Sequence, residues 1–210
     1  MTDDDALARR HGPIRPRQKD DFDEMYTATP PWDIGRPQPA FLALADAKEL
    51  GGKVLDVGCG TGEHALLAAE RGLDATGVDL ADRAIATARE KAATRGLSVR
   101  FELWDALDLP GLGQQFDTVL DCGLFHIFED PDRPRFVTSL HAVLRPGGRY
   151  FMLCFSDRQP GDWGPRRITE AELRTSFADG WRIDSLEPTT IDITIDPDGA
   201  RAWLVGMTRL

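Results

Sequence analysis

Cysteines and long apolar runs are scarce in this sequence. The three cysteines, Cys59, Cys122 and Cys154, are scattered and form no C-x-x-C pair, which argues against a disulfide framework and against a metal site. No apolar run approaches the roughly 20 residues that a membrane-spanning helix needs. The charged N-terminus also has no apolar stretch of the kind found in secretory signals. We therefore expect a cytoplasmic protein with no membrane partner and no metal.

Basic charge is also in short supply. The chain has 25 Lys and Arg residues against 35 Asp and Glu residues, which gives a formal net charge of −10. A surface of this sign repels phosphate-rich partners, so we expect no nucleic-acid substrate. The 210 residues, 41% of them hydrophobic, suffice for one soluble domain with a sizeable core. We expect that domain to act as a monomer or a homodimer.

The N-terminal residues fall into two segments. Residues 1–20 are charged and interrupted by proline, and we expect a mobile tail there. Residues 21–51 carry the Pro30-Pro31 pair, which forbids a helix at that point, and then a helical pattern with Pro39 near its first turn. We expect this stretch to form a lid and a helix ahead of a larger domain at 52–210.

Strand and helix patterns alternate from Lys53 onward. Five strand-like segments, among them VLDV and FMLCF, are separated by helical or turn segments. Two more follow with only a loop, roughly Thr189 to Gly199, between them. The alternation predicts an α/β, doubly wound, mostly parallel sheet of seven strands. The short final connection favours an antiparallel C-terminal strand pair.

The stretch VLDVGCGTGEHA places three glycines, Gly58, Gly60 and Gly62, between the first strand of this region and its helix. Glycines at such a position let the backbone adopt positive φ and let a ligand approach the main chain. Asp79 ends the next strand, where its carboxylate can accept hydrogen bonds from both hydroxyls of a ribose. The turn is therefore expected to bind a nucleoside-containing ligand.

The residues on either side of the glycines separate two kinds of ligand. A dinucleotide fingerprint needs a small residue where this chain has Glu63, whose negative charge would also oppose a pyrophosphate. Asp56, just before the glycines, suits a cationic ligand instead. A nucleoside with an amino-acid tail and no phosphate fits these charges, with its ribose on Asp79 and its ammonium group near Asp56.

At these residues the chain resembles the class I S-adenosylmethionine-dependent methyltransferases, closely over Lys53 to Cys154 and loosely elsewhere. The resemblance implies a Rossmann-like fold with S-adenosylmethionine as the cofactor. It implies that the glycine turn contacts the methionine part, that the acid ending the second strand holds the ribose, and that the fourth strand ends beside the methyl group. The implied cofactor residues are Asp56, Gly58, Cys59, Gly60, Thr61, Gly62, Asp79, Leu80, Asp105, Ala106, Asp121 and Cys122.

Several of these residues also have a simpler structural interpretation. The glycines could form an ordinary tight turn. Asp105 could cap the short turn that follows it, and Asp121 could be a solvated strand end. Trp104, Trp181 and Trp203 are more typical of core packing than of a site.

A substrate pocket is predicted after the fourth strand, with further aromatic residues from two other segments. His126 follows that strand, where an imidazole can accept a proton near pH 7, so it is our candidate general base. The alternative for His126 is a hydrogen bond to a neighbouring loop. Aromatic rings suit a sulfonium cation through cation–π attraction. The candidate pocket residues are Tyr26, Phe125, Phe128 and Trp163.

The segment PPWDIGRPQP adds a narrower resemblance, to short methyltransferases of the thiopurine and tellurite-resistance type and to actinobacterial enzymes that methylate heteroaromatic toxins and quinones. It implies that Trp32 folds against the methionine end of the cofactor. A proline-rich surface linker is the alternative. The thiopurine enzymes carry an arginine where this chain has Cys122, which disfavours a thiopurine substrate and favours an uncharged ring.

The sequence therefore predicts an enzyme that transfers a methyl group to a hydroxyl or a ring nitrogen of a small aromatic or heteroaromatic compound, in a detoxification role. One alternative is a methyltransferase for thiols or chalcogens. Another is a protein that senses S-adenosylmethionine without transferring its methyl group. An NAD-dependent dehydrogenase is disfavoured by Glu63.

Overall fold

A computed structural model describes residues 19–210. The tail predicted at 1–20 lies outside the described residues, except for its last two residues, which begin a helix. The regular elements are α1 Lys19–Met25, α2 Pro39–Asp46, β1 Lys53–Val57, α3 Glu63–Glu70, β2 Asp74–Asp79, α4 Asp82–Arg95, β3 Val99–Leu103, β4 Phe116–Cys122, α5 Asp132–Val143, β5 Leu144–Phe155, α6 Glu170–Ser176, β6 Trp181–Ile193 and β7 Asp196–Arg209. Two 3-10 helices follow β3 and β4, at Ala106–Leu112 and Phe125–Ile127.

The seven described strands form one sheet in the order β3-β2-β1-β4-β5-β7-β6. Strands β1 to β5 pair in parallel, whereas β7 runs antiparallel to both β5 and β6. The predicted doubly wound, mostly parallel sheet with an antiparallel C-terminal pair is therefore confirmed. Chain order reverses between β1 and β4, so the carboxyl ends of these two strands border the crevice in which such sheets bind ligands.

Two apolar clusters cover the two faces of the sheet. Neighbouring residues of one strand alternate between the clusters, as Val119 and Leu120 on β4 do. One cluster includes residues of α5 and α6 together with Trp181 and Trp203, and the other includes residues of α2 and α3. Because the helices cover the faces, the carboxyl edge of the sheet is left to the loops that follow the strands.

The C-terminal hairpin differs from the sequence prediction. A loop was expected from roughly Thr189 to Gly199, but β6 and β7 stay paired as far as Ile193 and Asp196. The physical reason is alternation: Ile191, Ile193 and Ile195 recur at every second position, which extends the strand pattern into the expected loop. The hairpin tip therefore carries an apolar row beyond the end of the core.

Local sequence signals fix several helix ends. Gly96 ends α4 with φ of 65°, and Thr169 and Glu172 form a capping box at the start of α6.

Within residues 19–210, no helix is long and apolar enough to cross a membrane.

Candidate active site

The glycine turn between β1 and α3 needs glycine for two different reasons. Gly60 has φ of 52°, and a Cβ there would lie 2.8 Å from the hydroxyl oxygen of Tyr26. Gly62 has φ of 88°, and a Cβ there would lie 2.6 Å from the ring of Phe101. Positive φ and close neighbours both exclude larger residues. The main chain of the turn therefore packs directly against Tyr26, with no side chain between them.

Asp79 at the end of β2 is bonded to the same turn. Its Oδ2 accepts a hydrogen bond from the Gly60 amide at 2.8 Å, and its Oδ1 accepts one from the Ala81 amide at 2.9 Å. Burial raises the pKa of Asp79, although these amide donors act in the opposite direction. The carboxylate is held in place by main-chain donors and still lies in the wall of a cavity.

That cavity has a volume of about 380 Å³ and lies at the carboxyl edge of the sheet. It falls in the range of about 300–1,000 Å³ that is typical of small-molecule sites. Its wall contains fourteen of the residues predicted for the site: Tyr26, Trp32, Gly58, Cys59, Gly60, Thr61, Asp79, Leu80, Asp105, Ala106, Cys122, His126, Phe128 and Trp163. The structure thus brings together residues that are up to 137 positions apart (163 − 26).

Phe125 is not among the wall residues, which corrects the prediction that it lines the substrate pocket. Its side chain is fully buried, with its ring centroid 5.5 Å from that of Phe177 and 6.4 Å from that of Phe136. The reason is the 3-10 turn after β4, which directs Phe125 into the core and the next residue, His126, towards the cavity.

Asp121 also lies behind the cavity wall, although it was predicted to lie beside the methyl group. It is fully buried, and its carboxylate accepts hydrogen bonds from the Leu124 and Phe125 amides and, at 2.7 Å, from the hydroxyl of Tyr150. Burial raises the pKa of Asp121 to about 7. Because it is buried, Asp121 is not a solvated strand end either. Its carboxylate stabilises the loop that carries His126.

Asp56 and Gly62 are not among the wall residues. Asp56 accepts a hydrogen bond from the Ala65 amide at 3.1 Å, which places its carboxyl group at the start of α3. Burial raises the pKa of Asp56 to about 8. Its other oxygen, Oδ1, is buried and has no hydrogen-bond partner among the residues that the structure describes. The predicted contact between Asp56 and a ligand ammonium is not direct, because this side chain is 1% exposed and lies outside the wall.

The ion pairs of Glu63 correct the prediction that its negative charge would repel a pyrophosphate. Its carboxylate binds Lys91 at 2.8 Å and Arg95 at 2.9 Å, so its negative charge is compensated within the protein. Burial opposes ionisation, but the hydrogen bonds from Arg95 and Lys91 prevail, and the pKa of Glu63 is lowered. The predicted repulsion of a pyrophosphate is therefore wrong, whereas the steric part of the argument against a dinucleotide remains.

Two further residues combine a structural role with a place in the wall. Asp105 accepts a hydrogen bond from the Leu107 amide at 2.9 Å and thereby caps the following 3-10 helix. Trp104, expected in the core, also lines the cavity, and its indole N–H donates to the Asp108 carbonyl at 2.8 Å. Asp105 therefore caps the 3-10 helix, as the simpler interpretation stated, and it also lies in the cavity wall.

His126 is held by the last residue of β5. The backbone N–H of Phe155 donates to Nδ1 of His126 at 3.0 Å, and the two rings lie edge to face with centroids 5.2 Å apart. Because an amide N–H can only donate, Nδ1 is an acceptor, and the neutral ring carries its proton on Nε2. The alternative for His126 was a hydrogen bond to a neighbouring loop, and the observed donor is instead the last residue of β5.

Residues 22–38, here called the cover segment, contribute the opposite wall of the cavity. The rings of Tyr26 and Trp32 lie edge to face at 6.4 Å, and the indole N–H donates to the tyrosine hydroxyl at 3.3 Å. Asp33 accepts a hydrogen bond at 2.9 Å from the hydroxyl of Thr61 in the glycine turn. The segment is thus bonded to the turn on which it lies.

The sequence places Gln38 in the proline-rich motif, but the contacts by which it anchors the end of the cover segment were missed. The Gln38 side chain exchanges two hydrogen bonds with the backbone of Asp192 on β6, at 2.8 and 2.9 Å. The backbone N–H of Gln38 donates to Nε2 of His64 at 3.2 Å. Burial lowers the pKa of His64 to about 4, so this ring is a neutral acceptor near pH 7. The only available signal was the P-Q-P motif that contains Gln38.

Another part of the wall is apolar. Ile191, Ile193 and Ile195 from the hairpin tip lie in it, together with Phe155 and Trp163, whose ring centroids are 5.8 Å apart. Ile195 is 57% exposed, so the apolar row runs from the cavity to the surface. Among residues 19–210 no group of three or more His, Cys, Asp or Glu side chains is placed to hold a metal ion.

A glycine turn, an acid at the end of β2 and a cavity at the switch point of a doubly wound sheet together define a nucleoside-binding α/β protein. Comparison with known proteins then identifies the family. Residues 54–148 match a family model described as "Methyltransferase domain". The chain is also 37% identical over 171 residues to a 2-heptyl-1-hydroxyquinolin-4(1H)-one methyltransferase from Mycobacteroides abscessus, and the match covers 80% of this chain and 75% of that protein. The chain belongs to the S-adenosylmethionine-dependent methyltransferases, and S-adenosylmethionine is its cofactor.

Two solved structures are similar over nearly the whole chain. One, described as "Conversion of a Disulfide Bond into a Thioacetal Group during Echinomycin Biosynthesis", is 40% identical with a TM-score of 0.83 and covers 91% of this chain and 93% of its own. The other is the 1,6-didemethyltoxoflavin-N1-methyltransferase of Burkholderia thailandensis with its substrate and S-adenosylhomocysteine bound. It has a TM-score of 0.71 at 22% identity, covers 95% of this chain and 92% of its own, and at that identity shows the fold alone.

Proposed function

We propose that this chain methylates an oxygen or a ring nitrogen of a small heteroaromatic compound that carries an apolar substituent. The observation that carries the proposal is the cavity in which the glycine turn faces aromatic and aliphatic side chains. The relative from Mycobacteroides abscessus is named for a heteroaromatic substrate with a heptyl chain, which supports this choice of substrate class.

The residues at the sheet edge fit the cofactor. Asp79 has one amide donor on each oxygen and keeps further lone pairs for the ribose hydroxyls. Leu80 and Trp104 provide apolar surface for the adenine, and Asp105 is the acceptor beside them. Gly58 and Gly60 lie in the cavity wall and present main chain without a side chain, where the methionine part would bind. When bound, S-adenosylmethionine supplies an electrophilic methyl group on a cationic sulfur.

The cover segment serves as a lid in this proposal. Tyr26 and Trp32 place aromatic rings over the glycine turn, where they can stabilise a cation and exclude water. The contacts of Asp33 and Gln38 hold the lid at both the turn and the hairpin. A site covered by aromatic rings favours an enzyme over a protein that only senses the cofactor.

The apolar row of the hairpin tip suits the substituent of the substrate. Ile191, Ile193 and Ile195 form a continuous aliphatic surface that leads out of the cavity beside Trp163. Each methylene group that leaves water for such a surface contributes about 0.8 kcal/mol when fully buried. A substrate with an alkyl chain gains this energy, whereas an unsubstituted ring does not.

Sulfur methylation is the second candidate, and one observation favours it. The 40%-identical structure is described by the conversion of a disulfide bond into a thioacetal group, which is sulfur chemistry. A thiolate needs no strong base, so the cavity composition is compatible with it. The polar residues of the wall do not distinguish sulfur from an ionised oxygen.

The test is a methylation screen with the purified protein and S-adenosylmethionine. The panel contains 2-heptyl-1-hydroxyquinolin-4(1H)-one, its analogue without the alkyl chain, an aromatic thiol and an N-heterocycle, each read by the mass gain of one methyl group. We expect the heptyl compound to be methylated fastest. Methylation of the thiol alone would replace the proposal with the second candidate, and S-adenosylmethionine binding without methylation of any panel member would support the sensing alternative.

Three further statements remain predictions from the sequence. They are a cytoplasmic location, a role in detoxification, and a monomeric or homodimeric state without a nucleic-acid partner. The net charge of −10 supports the absence of nucleic acid.

A further inference from the structure

A loop between β5 and α6, residues 160–167, carries Trp163 into the cavity wall. Two main-chain hydrogen bonds close the base of this loop, from the Ile168 amide to the Phe155 carbonyl at 3.0 Å and from the Asp157 amide to the Ile168 carbonyl at 3.1 Å. Beyond that base, the structure of residues 19–210 shows no hydrogen bond between backbone groups to or from residues 160–167. The shape of the loop must therefore come from side chains.

The Arg167 side chain supplies hydrogen-bond donors to that loop. Its Nη1 donates to the Trp163 carbonyl at 2.5 Å and to the Pro165 carbonyl at 2.9 Å. Its Nη2 donates to the Gly161 carbonyl at 3.2 Å and reaches the Pro160 carbonyl at 3.5 Å. Among the described residues, no other side chain is hydrogen-bonded to these four carbonyls. One guanidinium group therefore holds the main chain of the whole loop.

Arg167 lies next to the aromatic side chains of the wall without being a wall residue itself. Its Cζ lies 6.0 Å from the ring centroids of both Phe155 and Trp163, the outer limit of a cation–π contact. Both aromatic residues line the cavity, with their rings edge to face at 5.8 Å. The Nε of Arg167 is buried without a hydrogen-bond partner in residues 19–210, so the Nη contacts orient the side chain. Any effect of Arg167 on a ligand in the cavity must pass through the loop.

We propose that Arg167 is a positioning residue for the aromatic substrate, because it fixes the loop so that Trp163 and Phe155 form an aromatic wall beside the substrate ring. The inference rests on the proposed function and assigns the selection of an aromatic ring to these two side chains. Arginine suits this task, since its planar guanidinium presents several N–H donors at once, whereas a lysine ammonium is a point charge. The hydrogen bonds of Arg167 all end within its own loop, so affinity for the cofactor should not depend on it.

The first test is a double-mutant cycle of Arg167→Ala and Trp163→Ala with 2-heptyl-1-hydroxyquinolin-4(1H)-one as the substrate. We expect Arg167→Ala to raise KM about tenfold, as for the loss of a hydrogen bond to a charged group. Its kcat should stay within about twofold of the wild type, as for a loss of substrate binding, and its affinity for S-adenosylhomocysteine should hold. Because Arg167 acts through Trp163, the double variant should have the same KM as Trp163→Ala alone. Arg174→Ala, which breaks an exposed ion pair on α6, is the matched control and should keep the wild-type KM.

The second test reads the loop directly and needs no substrate. Chymotrypsin cuts after tryptophan, so cleavage between Trp163 and Gly164 reports how often the loop opens. In protein saturated with S-adenosylhomocysteine, we expect this bond to be cleaved about tenfold faster in Arg167→Ala than in the wild type or in Arg174→Ala, as for the loss of a charged hydrogen bond. The fragments are identified by mass. If Arg167→Ala does not fold, Arg167→Lys replaces it in both tests, since it keeps the charge but not the planar guanidinium.

The contrary results overturn the inference. Effects on KM that multiply in the double variant would mean that Arg167 does not act through Trp163. Cleavage of Arg167→Ala at the wild-type rate would mean that the loop is held without it. Equal losses of affinity for the substrate and for S-adenosylhomocysteine would make Arg167 a purely structural residue.

The proposed function can fail separately. If the wild-type protein methylates the aromatic thiol and not the quinolinone, the proposed function fails, and the cycle on the thiol must show the same non-additive pattern for the inference to hold. If no aromatic compound of the panel is methylated, both fail.

Discussion

The two halves of the cavity wall are built in different ways. The sheet half comes from loops at the carboxyl ends of β1 to β4, where Asp79 and the glycine turn are joined by main-chain hydrogen bonds. The cover half comes from the cover segment, the loop with Trp163 and the hairpin tip, which are distant in sequence and meet through side chains such as Gln38 and Asp33.

The difference assigns a separate task to each half. Strand ends in a packed sheet have little freedom, so the sheet half is suited to a ligand that does not change, the cofactor. The cover half lies on surface segments whose contacts can be exchanged without altering the sheet, so it is suited to a particular substrate. Changes in one half should therefore affect one ligand more than the other.

The largest effect is expected in the sheet half, for Asp79→Asn. The variant removes the charge and one acceptor oxygen, so affinity for S-adenosylhomocysteine should fall about 10- to 100-fold, because a hydrogen bond to a charged group contributes about 1.5–3 kcal/mol. Calorimetric titration measures this affinity. Asp74→Asn, on the exposed first residue of the same strand, is the matched control and should bind as the wild type does. Unchanged affinity in Asp79→Asn would remove the ribose role of this residue.

A smaller effect is expected for Gln38→Ala, on the aromatic substrate and not on the cofactor. The variant loses both side-chain bonds to Asp192 but keeps its backbone N–H for His64. We expect kcat/KM for the aromatic substrate to fall about tenfold, since two hydrogen bonds of about 0.5–1.5 kcal/mol are lost, with S-adenosylhomocysteine affinity nearly constant. Gln115→Ala, on an exposed residue before β4, is the control. An equal loss for both ligands would mean that the two halves are not separable.

A still smaller effect is expected within the cover half, for Ile193→Ala. Partial loss of aliphatic surface should raise KM for the heptyl substrate about three- to fivefold, at about 0.8 kcal/mol per fully buried methylene, and leave KM for the analogue without the chain unchanged. Leu42→Ala, on an exposed leucine of α2 outside the wall, is the control. The same change in KM for both substrates would show that the alkyl chain does not lie on the hairpin row.

The last comparison concerns the pH dependence of stability instead of ligand affinity, at His64, which links the halves through Gln38. Its folded pKa of about 4 lies below its model-peptide value of 6.5, so the unfolded chain binds more protons between these pH values. Its contribution to stability is therefore complete above pH 6.5 and falls on acidification, by about 1 kcal/mol per pH unit. Asp56 and Asp121, whose pKa values are raised, give the opposite slope in this range.

The comparison that isolates His64 is the difference between wild type and His64→Gln. Unfolding free energies from urea titrations at several pH values between 4 and 7 should show a smaller loss on acidification in the variant. Parallel curves for the two proteins would mean that His64 is not buried as a neutral acceptor.

The sheet half could be predicted from the sequence because its signals are local. Gly60, Thr61 and Asp79 lie at strand ends that the alternation of apolar and polar segments marks clearly. The doubly wound order and the antiparallel final pair follow from the same alternation and from the short last connection. The compensation of Glu63 was missed because Lys91 and Arg95 lie about 30 residues further along the chain, where no local pattern pairs them with it.

The cover half could not be predicted to the same depth. Gln38 and Asp192 are 154 residues apart, and no local pattern indicates that they meet. Phe125 was assigned to the pocket because it follows a strand end. A 3-10 turn at that point decides which side chains face the core, and the sequence does not predict the rotation of that turn. Trp32 was predicted only through the resemblance of its proline-rich segment, and Trp163 only because its side chain is aromatic.

The central claim is that one cavity holds the cofactor and the aromatic substrate side by side, each on its own half of the wall. The direct measurement is calorimetric titration of 2-heptyl-1-hydroxyquinolin-4(1H)-one into the protein saturated with S-adenosylhomocysteine. We expect the quinolinone to bind the saturated protein at least as tightly as the free protein, without displacing S-adenosylhomocysteine. Binding to the free protein alone, with S-adenosylhomocysteine released as the quinolinone is added, would contradict the account.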